Sequence, residues 1–236
     1  MKIPKIIHVT WKTKDIFNST FVENGIGKLV KLNPEWELQI SDDSDVEKYL
    51  YDHLDTQDYD ALKDRHIVEK TDVWRLLKLY NTGGLYTDID RVCNVSLNMV
   101  LTNNIRCVLP TCLDYDFTHD FMLSSPENPI YATTLKLNTE RRRNGSTNIY
   151  FLGAQTYMHG ITTCLTGAQI DTNPGLKVFA KLRNIIKQSS FITTYREYPP
   201  HDTFLYRNGN LDKTGYEKMK KDFYHSYNLN HWTGAW

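Results

Sequence analysis

The chain has 236 residues, enough for one large domain or two small ones. Apolar residues make up 40% and charged residues 24%, the balance of a globular protein that can bury a core without disulfides or a structural metal. Lys+Arg and Asp+Glu are equal at 28 each, and the resulting zero net charge argues against broad nucleic-acid binding, which needs a basic surface to displace counterions.

In chain order, residues 3–11 (IPKIIHVTW) are β-branched and apolar and predict a first strand. A short helix is expected before Leu32. EWELQIS at 35–41 alternates apolar and polar residues, as a half-buried strand does. DDSDVEKYLYDHL then predicts a helix capped by Ser44 or Asp43, with acidic residues in the first turn where the helix dipole favours them. Residues 69–82 are the strongest helix, with Val73, Leu76, Leu77 and Tyr80 at i, i+3, i+4 and i+7, and Gly83-Gly84 to stop it. LYTDID follows as a short strand running into a loop. Residues 105–111 and 120–125 predict further strands, and 128–143 and 174–188 further helices. That alternation predicts an α/β fold with a mostly parallel central sheet flanked by helices. The whole chain reads as a single domain, 1–236, whose segment from about 187 onward is polar, aromatic and loop-like, a flap over a site. No run approaches the ~20 apolar residues of a membrane span. The N-terminus lacks an apolar segment of signal-peptide length, so the sequence reads as a soluble cytoplasmic chain of bacterial or viral type, or a Golgi-lumen one if an anchor was removed. The four cysteines lack metal-site spacing and read as reduced structural thiols.

Asp88 and Asp90 lie two residues apart. In extended backbone both carboxylates share a face, and they repel unless a cation lies between them. A hard divalent ion with oxygen ligands, Mg²⁺ or Mn²⁺, meets that need and keeps positions open for phosphates. Alone, D-x-D is equally an acidic surface turn. Its place at the exit of a predicted strand, where ligands collect in open α/β sheets, favours a site, as does the preceding Gly83-Gly84, which admits close approach of a ligand to backbone. Asp72 and Arg75 sit at i, i+3 on the strong helix. They read either as a surface ion pair or as a carboxylate for hydroxyls beside a guanidinium for phosphate. ERRRN at 140–144 reads as a solvated helix end, with contact to an anionic acceptor or membrane surface as the other reading.

The block D-x-W-R-x-x-x-L-x-x-x-G-G-x-Y-x-D-x-D at 72–90, with IPKIIHVTWK before it and NHWTGAW at the end, resembles the pattern of glycosyltransferase family 32. Fungal α-1,6-mannosyltransferases belong to that family. α-1,4-Galactosyltransferases share its DxD region, and large clostridial toxin glucosyltransferase domains carry a similar arrangement. The resemblance implies a GT-A type nucleotide-sugar-binding fold, a UDP- or GDP-sugar donor, Mn²⁺ or Mg²⁺, and retention of anomeric configuration. It implies that Asp90 ligates the metal directly and that Asp88 meets sugar and ribose hydroxyls and the metal. Asp72 and Arg75 would grip the donor sugar and leaving phosphate, with Tyr86 beside the diphosphate and Trp11 stacked on the nucleobase. Asp120 would lie near the sugar or acceptor. His231 would complete the metal shell, and Trp236 would reach the diphosphate from a terminal flap. Ala235 and Ala168 stand where the family usually has Ser and Pro. The implied activity is hexosyl transfer to a glycan, glycolipid or glycoprotein acceptor, as in polysaccharide biosynthesis. A nucleotide-sugar hydrolase or phosphotransferase, or a non-catalytic sugar-binding relative, would use the same site.

Overall fold

A computed structural model describes residues 2–16, 25–89, 91–93, 96–99, 101, 104–112, 116–149, 151–168, 176–197 and 202–203. The first strand, β1 (Ile6–Thr10), is followed by α1 (Ile26–Leu32), β2 (Glu37–Ser41), α2 (Asp43–His53), the short α3 (Thr56–Asp60) and the long α4 (Ile67–Thr82). Then come β3 (Gly84–Thr87), β4 (Val92–Cys93), β5 (Cys107–Cys112), β6 (Asp116–Phe117), β7 (Phe121–Ser124) and α5 (Pro129–Arg143). A π-helical turn at Phe151–Gln155 runs into α6 (Thr156–Thr166), and α7 (Leu176–Gln188), β8 (Ile192–Glu197) and β9 (Asp202–Thr203) complete the described elements.

Among the described residues the main sheet has seven strands, in the order β2-β1-β3-β7-β5-β6, with β8 paired to β5. β1 runs parallel to β2 and β3, and β8 parallel to β5, whereas β7 is antiparallel to both β3 and β5. β6 is antiparallel to β5. Five strands (β1, β2, β3, β5, β8) therefore point one way, the mostly parallel sheet expected from sequence. Since β1 lies between β2 and β3, and His8 pairs with Tyr86, the chain leaving β1 at Trp11 and the chain leaving β3 at Asp88 emerge at one edge of the sheet. That carboxyl edge of a parallel sheet is where ligands bind in open α/β folds.

Local chemistry explains most boundaries. The cap of α2 is Asp42, one residue before the expected Asp43 or Ser44. Its Oδ1 accepts the Asp45 N–H at 3.0 Å while Asp45 Oδ2 accepts the Asp42 N–H at 3.1 Å, a reciprocal box that either expected residue would leave open. α4 ends at Gly83, whose N–H donates to the Leu79 carbonyl at 2.9 Å. Gly83 and Gly84 have φ of +67° and +103°, where side chains are strained. A Cβ at Gly83 would also meet Ser124 O at 2.8 Å, and one at Gly84 would meet Ile6 O at 2.6 Å. The glycine pair thus admits close approach of the protein's own backbone.

Burial of α4 goes beyond the predicted stripe. Val73, Trp74, Leu76, Leu77 and Leu79 are all buried, as are Glu69, Asp72 and Arg75. The helix is packed between α2, α5 and the sheet and is central rather than peripheral. α6 had no signal in periodicity. TYMHGITTCLT is rich in β-branched residues and holds a glycine, so propensity disfavours it. Its stretch Thr156–Thr162 is buried, and Gly160 permits close approach to Thr134 of α5. β8, expected within the loop-like segment from about 187, is a strand of the main sheet instead, because its backbone completes the ladder beside β5. Cys107 and Cys164 are free thiols, as expected; the other two cysteine side chains lie outside the described residues. No helix among the described residues is long and apolar enough to cross a membrane.

Candidate functional site

α4 and β3, joined by the glycine turn, bring Asp72, Arg75, Tyr86 and Asp88 together. Arg75 is the hub. Its Nη2 lies 3.1 Å from Asp72 Oδ1 and its Nη1 lies 3.3 Å from Asp88 Oδ1. Nη1 also donates to the His119 carbonyl at 2.9 Å, and the guanidinium sits 4.5 Å from the centroid of the Tyr86 ring. The helix-surface ion pair that sequence allowed is therefore a buried one, at 7% and 8% side-chain exposure. Asp88 is more open, at 27%.

Tyr86 donates its hydroxyl to Asp88 Oδ1 at 2.5 Å. Burial pushes its phenol well above 10, against the opposing charge of Arg75, so it keeps its proton at neutral pH. For Asp72, burial by itself would raise the carboxyl, but the charges of His119 and Arg75 outweigh it and hold the group below the usual carboxylate range. Asp72 is thus a buried anion, able to accept hydrogen bonds from hydroxyls.

Asp120 lies beside Asp88, whose N–H donates to the Asp120 carbonyl at 2.9 Å. The Asp120 carboxylate forms a close ion pair with the buried Arg91 through Oδ2, and its Oδ1 is buried without a hydrogen-bond partner among the described residues. Trp11 follows β1, its N–H donating to the Ser41 carbonyl at 3.1 Å and its ring half-buried against the core beneath the sheet. Asp90, His231 and Trp236 lie outside the described residues. Among the described residues no cluster of three or more His, Cys, Asp or Glu side chains is arranged to hold a metal. The donors that are present, the half-open Asp88 carboxylate and the unpartnered Asp120 oxygen, are hard oxygen ligands of the type Mg²⁺ or Mn²⁺ takes.

Three residues near this cluster carried no signal in the sequence. His119, in the turn between β6 and β7, places Nε2 3.3 Å from Asp72 Oδ1. Gly153, in the π-helical turn, is so close that a Cβ there would meet Asp72 Oδ2 at 2.5 Å. Arg142, expected at a solvated helix end, is buried, with Nη1 3.0 Å from Glu69 Oε2 and Nε 2.7 Å from Asn138 Oδ1. Its neighbours Arg141 and Arg143 pair with Thr156 and Asp58 rather than with solvent alone. Tertiary pairing across 73 residues overrides the charge run.

With this geometry in place, the fold and the local region have a class. Residues 19–106 match the family model described as glycosyltransferase sugar-binding region containing DXD motif, and this stretch holds Asp72, Arg75, Tyr86 and Asp88. The fold is that of a GT-A glycosyltransferase. It superposes on the solved PaToxG glycosyltransferase with a TM-score of 0.52 at 20% identity, over 78% of this chain and 75% of that one. Among curated proteins, the chain is similar to inositol phosphoceramide mannosyltransferase 3 of Schizosaccharomyces pombe, 35% identical over 105 residues, which cover 42% of this chain and 27% of that protein. It is also similar to mannosyl phosphorylinositol ceramide synthase CSH1 of Saccharomyces cerevisiae, 29% identical over 148 residues, 60% of this chain and 37% of that protein. The match thus spans well under half the length of these curated relatives.

Proposed function

We propose that the chain is a metal-dependent, retaining hexosyltransferase that takes its sugar from a nucleotide-diphosphate donor. The observation that carries this reading is the convergence of Asp72, Arg75, Tyr86 and Asp88 at the carboxyl edge of the sheet, within the DXD sugar-binding region. Two of the relatives are named for mannosyl transfer to inositol phosphoceramide, which favours GDP-mannose as donor and a glycolipid headgroup as acceptor.

In this reading Asp72 accepts hydrogen bonds from donor-sugar hydroxyls, and Arg75 offsets negative charge developing on the leaving diphosphate. Tyr86 orients the Asp88 carboxylate through its hydroxyl. Asp88, with Asp90, would hold a divalent cation, most suitably Mn²⁺, which when bound neutralises the diphosphate. His231 and Trp236 would add a metal ligand and a phosphate contact, Asp120 a contact to sugar or acceptor, and Trp11 a stacking surface for the base. The bond from the sugar's anomeric carbon to the diphosphate breaks as the acceptor oxygen bonds to the same face, and the departing phosphate takes the acceptor's proton. The single-domain organisation and a cytoplasmic setting belong to the same proposal.

The test is a thermal-shift panel of GDP-mannose, UDP-glucose and UDP-galactose with Mn²⁺, since a ligand bound only by the folded state raises the melting temperature. One donor should stand out, and Asp88→Asn should abolish its effect. Donor turnover that no acceptor accelerates would replace transfer by hydrolysis; a flat panel would remove the donor site altogether.

A further inference from the structure

We propose that His119 is a positioning residue that fixes the orientation of the Asp72 carboxylate, a role resting on the reading of Asp72 as the group that holds the donor sugar. His119 engages the site in two ways. Its backbone carbonyl accepts from Arg75 Nη1 at 2.9 Å, and its ring approaches Asp72 Oδ1 at 3.3 Å. One residue from the β6–β7 turn therefore touches both members of the α4 ion pair.

The ring has little freedom to do otherwise. Its plane lies 27° from that of Tyr157, with centroids 6.4 Å apart, and Tyr157 is itself stacked on Tyr131 at 6.3 Å and 14°. On the remaining side, Gly153 stands where a Cβ would come within 3.2 Å of His119 Nε2 and 2.5 Å of Asp72 Oδ2. Absence of a side chain at 153 leaves room for the carboxylate and imidazole to lie side by side. His119 Nε2 is buried and makes no aligned hydrogen bond, so packing rather than an existing bond holds it there.

Arg75 alone would not fix Asp72. It is shared between two carboxylates at nearly equal distance, 3.1 Å to Asp72 and 3.3 Å to Asp88. A shift of Arg75 toward a bound diphosphate would loosen its hold on Asp72. The Nε2 edge of a ring packed between Tyr157 and Gly153, 3.3 Å from Oδ1, keeps the carboxylate in place while Arg75 serves the leaving group. Binding groups need such support, because a carboxylate free to rotate must be ordered by the ligand at a cost in affinity.

Asp72 meets the sugar and not the nucleotide, so the two affinities separate this role from a structural one. Wild type is titrated with GDP-mannose, UDP-glucose and UDP-galactose in Mn²⁺, and the tightest is compared with its own nucleoside diphosphate. For His119→Ala, affinity for the sugar nucleotide should fall about tenfold, because the carboxylate loses the imidazole that restrains it and must be ordered by the ligand. Affinity for the nucleoside diphosphate should stay within about twofold. His119→Gln, whose amide reaches the position of Nε2, should recover most of the loss, and adding His119→Ala to Asp72→Asn should cost nothing more. Equal weakening of both ligands, no weakening, or additive effects would overturn the positioning role. The polar His119→Asn, whose amide reaches only the position of Nδ1, carries the test if the alanine variant does not fold. Unchanged sugar affinity in Asp72→Asn, or no binding by wild type, would sink the donor reading itself. A loss in Asp72→Asn without one in His119→Ala would sink only the inference.

Discussion

α4 carries two buried carboxylates one turn apart, and their surroundings differ. Glu69 and Asp72 are equally hidden, at 6% and 8% side-chain exposure, and both face arginine. Glu69 is enclosed by protein: Arg65 Nε lies 3.1 Å from its Oε2, and Arg142 Nη1, arriving from α5, lies 3.0 Å from the same oxygen. Arg142 is in turn held by Asn138, whose amide donates to the Leu152 carbonyl at 2.7 Å and ties the π-helical turn to α5. Asp72 shares its arginine with the half-open Asp88 and abuts the glycine of that same turn. Neither burial nor ion pairing distinguishes the carboxylate proposed to hold the donor from the structural one. The distinction lies in what else its arginine must hold and whether the surroundings leave space at its oxygens.

Variants of the two pairs should therefore diverge. Arg142→Ala leaves Glu69 with a single partner in a buried setting, and about 3–5 kcal/mol of stability should be lost in urea unfolding. Donor affinity, measured on the fraction that stays folded, should change far less; if it collapsed while the fold held, the Glu69 cluster would be part of the site.

His8 supplies a buried group that is kept neutral instead of paired. It donates through Nε2 to the Gly83 carbonyl at 2.9 Å, and burial lowers its pKa from 6.5 to about 4, against the raising effect of that hydrogen bond. Between pH 6.5 and about 4 the unfolded state binds the proton and the folded state does not. Stability is thus fully present above pH 6.5 and falls as pH drops, by about 3 kcal/mol once below the folded pKa. His8→Gln should flatten that part of a melting-temperature profile; an unchanged slope would assign the acid loss to other groups.

Arg75→Lys keeps the charge but cannot reach Asp72, Asp88 and the His119 carbonyl together. Turnover should fall about 100-fold, with a far smaller change in melting temperature than Arg142→Ala produces. A large loss of stability with turnover preserved would erase the contrast between the two pairs.

The smallest effect belongs to Asn128, the cap of α5, whose Oδ1 accepts the Ile130 N–H at 3.0 Å. Asn128→Ala should cost about 1 kcal/mol by thermal unfolding, without altering the response to nucleotide sugars. A changed ligand response would mean that α5 transmits strain to the site through Arg142.

How far the sequence could be read follows from the range of the forces involved. Asp72, Arg75, Tyr86 and Asp88 were legible because one helix, one turn and one strand carry them, and helical and extended periodicity bring them to one place. β1, β2, β3, β5 and β7 were legible in outline for the same reason, whereas the two-residue β4 and β6 were not. His119, Gly153 and Arg142 were not. A histidine in a turn, a glycine in an apolar stretch and an arginine in a charge run carry no local mark of what lies opposite them.

By itself the sequence determined the elements set by neighbours in the chain: the start of α2 to within two residues, the left-handed glycine turn after α4, and the motif from 72 to 90 with the chemistry it implies. Tertiary structure decided the rest. It buried α4 on every side, turned a β-branched segment into α6, drew β8 into the sheet beside β5, and closed Arg142 over Glu69 while leaving Asp88 half open. The physical reason is that burial and charge pairing belong to residues distant in sequence. Their free energy appears only once the sheet and α5 bring those residues into contact.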